Sequence, residues 1–361
     1  MGEDAYDRLA NVLDTIPNGF PRTESGVEIK LLKKIFSPEE ADLFCDLRLT
    51  METAQEIADR TGRPVGGLEK MLITMGERGQ LFTFEFEGQH YFKLVPWAFG
   101  IYEYQLGRLD KEFAELNEEY GPAWGKQFFS TTPQLMQTLP IEEEIVAIQE
   151  ALPYERVSTL VDTSESFLLM ECICKKEQGL LGNPCEKPLE ICMGFAPIPG
   201  VFEDSKTGRA ITKDEARAVL KKAEEAGLVH LSNNLQNGRF FICNCCGCCC
   251  GVLSAINDLN LPATSVINSH YTAVIDEEAC TACGTCADDR CQVRAIEEGD
   301  DVYKVIAERC IGCGLCVTTC PAEAITLVRR DEKDIEPPPV DEETWFKERG
   351  RRRGVDFSKL A

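Results

Sequence analysis

The run Cys310-Ile-Gly-Cys313-Gly-Leu-Cys316-Val-Thr-Thr-Cys320-Pro321 limits what this chain can fold into more than any other stretch. Four thiols within eleven residues, separated by glycine and small side chains, are too dense to serve as core packing and must pair or bind metal. The pattern occurs twice. Cys280-Thr-Ala-Cys283-Gly-Thr-Cys286, then Cys291, precedes it. The flanks repeat as well: Tyr271 to Ile275 and Arg294-Ala295-Ile296 parallel Tyr303 to Ile306 and Ala322 to Ile325, as an internal duplication would leave them. Metal rather than disulfide is expected. The opening MGEDAYDRLANVL is acidic and has neither the positive segment nor the apolar run of a secretory signal, so a reducing, cytoplasmic setting is predicted. No stretch is apolar enough for a membrane helix.

The C-x2-C-x2-C-x3-C-P spacing resembles that of the bacterial two-[4Fe-4S] ferredoxin family, here over residues 269–328. A cube needs four converging thiolates, so a tight loop supplies three and a distant cysteine the fourth. Gly312 and Gly314 are expected to let the backbone approach the cluster. In that family the fourth cysteine of each run serves the other cluster. The resemblance therefore implies one set of Cys280, Cys283, Cys286 and Cys320 and another of Cys310, Cys313, Cys316 and Cys291. The first run departs from the pattern, with four residues, Ala287 to Arg290, before Cys291 and with Gln292 in place of proline. Ligation by Cys291 is still expected; its loss would leave a three-iron cluster. Zinc, which favours two separate C-x2-C pairs, is the competing metal. Two adjacent clusters make a one-electron relay, and Asp288, Asp289, Asp300 and Asp301 favour its oxidised state.

Ten more thiols lie in the middle of the chain: Cys172, Cys174, Cys185 and Cys192, then Cys243, Cys245, Cys246, Cys248, Cys249 and Cys250. They predict at least one further metal centre drawn from both groups. A third [4Fe-4S] cluster is the first reading, with Cys172, Cys174, Cys185 and Cys192 as contributors; zinc held by four thiolates is the second. Neighbours in Cys245-Cys246-Gly247-Cys248-Cys249-Cys250 point in different directions and cannot all reach one metal. The remainder, Cys245 or Cys248 among them, are either redox-active thiols or a substrate-metal surface, or simply buried small hydrophobes.

The expected fold class is α+β multidomain. Residues 1–100 are expected to form one domain, in which residues 38–95 read as three helices, the first from Pro38 to Leu47, and a two-stranded hairpin (FTFEFEGQHYFKLV), an order that resembles the winged-helix family, with Ala54 to Thr61 and Pro64 to Arg78 as its helix-turn-helix. Residues 101–150 read as a connecting helix, Tyr102 to Tyr120, stopped by Gly121-Pro122 and followed by an extended linker. Residues 151–268 form the cysteine-rich domain, in which Thr212 and Glu215 cap a helix that Gly227 ends. Residues 329–361 have three consecutive prolines and mixed charge and read as an extended tail, with Trp345-Phe346 and the following arginines as a candidate anchor on an acidic surface.

A net charge of −23, with 14 basic against 27 acidic side chains in residues 1–150, disfavours nucleic acid as a partner. There is no G-x-G-x-x-G after a strand and no G-x-x-x-x-G-K-[ST], so no nucleotide site is indicated. His90, His230 and His270 stand alone; His270 beside the ferredoxin-like module is a candidate sensor of cluster state. The whole arrangement resembles dicluster-ferredoxin-type proteins of anaerobic bacteria, which implies electron delivery to a partner oxidoreductase. Two other readings stay open: a redox-responsive winged-helix regulator, and a reductive enzyme acting at the middle cysteines.

Overall fold

The structure is a computed structural model and describes residues 4–145, 152, 155–203 and 205–361. It has two compact units, Met1–Phe128 with Phe346–Ala361, and Phe129–Trp345. Residues 146–151, 153 and 154, on which part of the expected linker and the start of the cysteine-rich domain fall, lie outside the described residues.

The first unit begins with α1 (Ala5–Thr15), α2 (Val27–Ile35), α3 (Pro38–Phe44), α4 (Ala54–Thr61) and α5 (Leu68–Glu77), followed by the hairpin β1 (Phe82–Phe86) and β2 (Gln89–Lys93). Ser37 with Glu40, and Thr53 with Glu56, close reciprocal capping boxes that fix where α3 and α4 start. Leu43, Phe44, Ile57, Leu72, Met75 and Phe92 bury their side chains, so the helical stripes and the inner face of the hairpin meet in one core. Several arginines of this unit pair with its own acids: Arg63 with Asp42 and Asp46, Arg78 with Glu40 and Arg60 with Glu52. Cys45 is a packing residue. Its thiol donates to the Ala41 carbonyl at 3.1 Å, and burial pushes its pKa up to about 12.

After a short turn of helix, α6 (Tyr102–Tyr104), comes α7 (Lys111–Phe128). The expected stop at Gly121-Pro122 does not occur. Pro122 removes one backbone donor, but Tyr120 is buried on one side of it, and on the other Trp124 stacks on Phe128 at 4.4 Å; burial outweighs the lost hydrogen bond.

The second unit is built on a seven-stranded sheet of β3 (Met136–Leu139), β4 (Ser166–Glu171), β5 (Glu190–Ala196), β6 (Arg209–Ile211), β7 (Val229–Asn233), β8 (Phe241–Cys245) and β9 (Ile267–Asn268), in the order β6-β4-β5-β8-β7-β3-β9. Neighbours are antiparallel except β3 and β9. β3 lies in the stretch expected to be a linker. All four of its residues are buried, which is why it lacks the alternation of a one-sided strand. The helices are α8 (Val157–Asp162), α9 (Ile173–Leu180), α10 (Lys213–Glu225), α11 (Gly251–Asn257) and α12 (Ala263–Val266). Thr212 and Glu215 cap α10 as the sequence predicts. Ala216 and Leu220 of α10 and Val157 and Val161 of α8 cover Phe167, Leu169, Met193, Phe195 and Ile242 on one face of the sheet.

The cysteine repeats belong to the same unit. β10 (Tyr271–Ile275) pairs with β13 (Ile325–Arg329), and β11 (Ile296–Glu298) with β12 (Tyr303–Val305), both antiparallel. The tail is not wholly extended: α13 (Glu342–Arg353) forms within it. Arg349 is its anchor. It is fully buried, donates to the Pro17 carbonyl at 3.0 Å and to the Phe128 carbonyl, and lies 4.3 Å over the Phe128 ring; composition hides such a residue because arginine is rarely interior. Among the described residues no helix is long and apolar enough to cross a membrane.

Candidate metal centres

The two cysteine runs adopt the same backbone. Left-handed φ values occur at Ala282 and Gly312, at Gly284 and Gly314, and at Arg294 and Glu323, the corresponding positions of each repeat. The fourth cysteines match as well. Cys291 Sγ accepts from the Ala295 N–H at 3.0 Å, and Cys320 Sγ accepts from the Ala324 N–H at 3.3 Å. The extra residue before Cys291 therefore leaves its thiol in the equivalent position. A Cβ on Gly312 would stand 2.3 Å from the Tyr271 carbonyl oxygen, so its bareness also serves the approach of β10.

The thiols converge in two crossed sets. Cys280, Cys283 and Cys286 line one cavity together with Cys320 of the other run. Cys313 and Cys316 interact with Cys310 and with Cys291 of the first run. Cys286 acts electrostatically on Cys316, so the two sets are neighbours. Their surroundings differ. Thr281, Ala282 and Cys283 are exposed, while Cys310, Ile311 and Cys316 are buried. Burial pushes the Cys313 thiol up to about 12, whereas the N–H of Thr285 draws Cys283 below the ordinary thiol range.

Eight thiolates in two fours, with N–H groups aimed at sulfur, are the donor set of a pair of [4Fe-4S] clusters. Comparison with known proteins agrees. A family model described as a 4Fe-4S dicluster domain matches residues 273–327. The pyruvate synthase subunit PorD of Methanocaldococcus jannaschii is 33% identical over 63 residues, 17% of this chain and 72% of that protein. The chain belongs to the 4Fe-4S dicluster family. Ferredoxin-1 of Chlorobaculum tepidum is 39% identical over 54 residues, 13% of this chain and 86% of that protein. No solved structure matches.

The ten thiols of the cysteine-rich part divide six and four. Cys185, Cys246, Cys248 and Cys249 have all their sulfurs within 4.8 Å of one another, with contacts of 3.6, 3.7 and 3.9 Å. A single tetrahedral ion with metal–sulfur bonds of about 2.3 Å needs sulfurs about 3.8 Å apart. This group fits one zinc ion. A cube carries its thiolates on four separate irons and spreads them wider.

The other six act on one another's thiols, Cys172 also on Cys243 and Cys245. Cys172 interacts with Cys174 and Cys192, Cys174 with Cys250, Cys250 with Cys245, Cys245 with Cys243, and Cys243 with Cys192. The contacts with Cys174 and Cys192 draw Cys172 well below its ordinary range and push those two well above theirs. Cys185 belongs to the group of four, and one packing cluster holds Cys172 and Cys246 with Cys174, Cys185, Cys192 and Cys249 packed against it. Cys243 and Cys245 share one face of β8, opposite Ile242, and Cys246 follows the end of the strand and packs with Cys172, Ile191, Ala223 and Leu228.

Three residues gain roles that the sequence did not disclose. Gln292, where the family has proline, accepts from the Gly247 N–H at 2.8 Å. Arg290, brought into place by the longer loop, donates to the Glu224 carbonyl at 3.0 Å and to those of Glu225 and Leu315 at 3.2 Å. Both tie the dicluster domain to the cysteine-rich part, and the departures from the family spacing were their visible signal. Lys175 is interior, 4% exposed, and one of a Lys-Lys pair that reads as surface.

Proposed function

We propose that this chain is an iron–sulfur electron-transfer protein that takes single electrons at the exposed cysteine set and passes them inward, serving a partner oxidoreductase. The carrying observation is the crossed pair of four-thiol sets, one at the surface and one facing the cysteine-rich part. When bound, two [4Fe-4S] clusters supply one-electron chemistry with little rearrangement.

The chain's own residues set the conditions. Cys280, Cys283, Cys286 and Cys320 hold one cluster and Cys310, Cys313, Cys316 and Cys291 the other. Ala295 and Ala324 direct their N–H groups at the fourth thiol of each set, favouring the anionic form. Asp276, Glu277, Glu278, Asp288 and Asp289 are exposed around the first run. They suit a redox partner with a basic face and steer its approach.

The N-terminal three-helix and hairpin unit is read as a winged-helix-like docking module. The pairing of Arg63, Arg78 and Arg60 with carboxylates leaves those side chains unavailable to phosphates and disfavours DNA as its partner. The cysteine-rich part supplies a further metal centre, and the setting is a reducing, anaerobic cytoplasm.

Anaerobic reconstitution tests the reading. Reduced protein should give the paramagnetic resonance signal of two interacting [4Fe-4S] centres, and Cys283→Ser should remove one of them. Colourless protein without acid-labile sulfide would end it.

A further inference from the structure

The turn between β8 and α11 carries Cys246, Cys248 and Cys249, and it meets Cys185, which lies 61 residues before Cys246 in the chain. The sulfur contacts are 3.6 Å for Cys185 and Cys248, 3.7 Å for Cys248 and Cys249 and 3.9 Å for Cys185 and Cys246, and no pair of the four is more than 4.8 Å apart. These are the edges of one tetrahedron, closed around a single ion by bonds of about 2.3 Å. A disulfide would use two of the thiols and strand the other two. Four protein thiolates fill the shell of a zinc ion and leave no position for water or substrate, the arrangement of a structural rather than a catalytic site. Ferrous iron could occupy the same shell, but its affinity for such ligands falls below that of zinc.

The charge balance agrees. Four thiolates around a divalent ion leave two negative charges in excess. The interior Lys175 donates Nζ to the Pro188 carbonyl at 2.7 Å, has no carboxylate within ion-pair distance among the described residues, and acts by its charge on Cys246. A buried ammonium needs an anion near it, and a thiolate-held ion supplies one.

The turn itself is weakly held by its backbone. The Cys249 and Cys250 N–H groups reach the Cys246 carbonyl only at 3.5 and 3.2 Å, and Asn257 Nδ2 reaches the Gly247 carbonyl at 3.4 Å, all at the long end of hydrogen-bond distances. Yet Gly247, between two ligands of the site, donates its N–H to Gln292, the residue after Cys291. The turn is thus the seat of the loop that carries the fourth thiol of the buried dicluster set. An ion that ties this turn to a segment far away in sequence removes more chain freedom than a local contact does.

We propose that Cys185, Cys246, Cys248 and Cys249 hold one structural zinc ion, and that this ion clamps the turn on which the Cys291 loop is seated. Its bearing on electron transfer rests on the proposed ligation of a cluster by Cys291.

The test uses full-length protein purified anaerobically with zinc and iron supplied. Elemental analysis should give at least one zinc per chain, and X-ray absorption at the zinc edge should show four sulfurs at about 2.3 Å. Cys185→Ser with Cys248→Ser should lose about one zinc, leave iron unchanged, and speed amide hydrogen exchange several-fold in the peptides that carry Gly247 and Gln292. Protein without zinc, a shell of fewer than four sulfurs, a disulfide among the four cysteines, zinc retained by the double variant, or iron lost in its place overturns the site. Unchanged exchange around Gln292 after zinc loss overturns the clamp. The absorption spectrum of the wild type decides the site even if the double variant fails to fold. Failure of the dicluster reading is separate: acid-labile sulfide would then be absent while zinc on four sulfurs is still found.

Discussion

The side-chain oxygen of Gln292 accepts a 2.8 Å hydrogen bond from the backbone N–H of Gly247. This joins the residue after Cys291 to the residue between Cys246 and Cys248, so a thiol of the buried dicluster set and two of the zinc-type group are held by one contact. Asn257 reinforces it, donating Nδ2 to the Gln292 carbonyl at 2.9 Å. A Cβ on Gly247 would stand 2.3 Å from that same carbonyl oxygen, so the two backbones meet without room for a side chain. Proline at 292 has no side-chain oxygen to accept the bond.

Gln292→Ala is therefore expected to cost about 1 kcal/mol, because the Gly247 N–H is only half-buried and water replaces part of the bond. Gly247→Ala forces the backbones apart and should cost more, about 2 kcal/mol. Urea unfolding followed by far-ultraviolet circular dichroism ranks the two. An unchanged midpoint for Gly247→Ala would mean that the contact does not hold the parts together.

Arg290 makes a parallel prediction. Its guanidinium reaches two carbonyls at the carboxyl end of α10 and one in the second cysteine run. A lysine presents one ammonium and cannot span all three. Arg290→Lys and Arg290→Ala should both lower stability, by about 1 and about 2 kcal/mol. Deleting Ala287 to restore three residues before Cys291 should act like Arg290→Ala, because it withdraws the arginine from α10. Unfolding midpoints compare the three.

How much was legible follows from the range of the signals. The dicluster repeats were readable because their thiols bind through spacings of two or three residues, which a linear sequence displays. The capping boxes of α3, α4 and α10 were readable for the same reason. The division of the middle thiols was not. Cys185 joins Cys246, Cys248 and Cys249 across a sheet whose register no local pattern sets, and Cys246 lies just past the end of β8. β3 read as linker because burial on both faces erases alternation. Arg349 and Lys175 were invisible because charged residues read as surface until the contacts that satisfy them are known.

Glu155 gives a pH prediction. Burial alone would raise its carboxyl, but donors outweigh it: His270, Tyr271 at 2.7 Å, the Leu152 N–H at 2.8 Å and Arg329 at 2.9 Å hold the pKa at about 2, against an ordinary value of 4.5. A depressed carboxyl contributes stability that is complete above 4.5 and lost as pH falls towards 2. Such a shift corresponds to about 3 kcal/mol. Glu155→Gln should therefore be destabilised by about this amount at pH 7, with a difference from wild type that shrinks below pH 4.5. Urea titrations at pH 7 and pH 3.5 would show it; a constant difference would refute it.

Crossed ligation predicts which cluster each fourth cysteine serves. Cys320 lines the cavity of Cys280, Cys283 and Cys286, although it follows Cys316 in sequence. Cys320→Ser should therefore perturb the same resonance signal as Cys283→Ser, and Cys291→Ser the same signal as Cys313→Ser. Uncrossed pairing would exchange these results.

The exposed acidic residues around the first run make the last prediction kinetic. Attraction between opposite charges across solvent is screened within about 8 Å at physiological ionic strength, so it speeds encounter more than it tightens binding. A basic c-type cytochrome is a suitable oxidant for the reduced protein. Its rate of reduction, followed by stopped flow, should fall as salt rises, and Asp288→Asn with Asp289→Asn should slow it several-fold at low salt and little at high salt. Both aspartates are exposed, so the change leaves the fold intact and isolates the charge. Salt-independent reduction, equal for wild type and variant, would place the electron-exchange surface elsewhere than the exposed cysteine run.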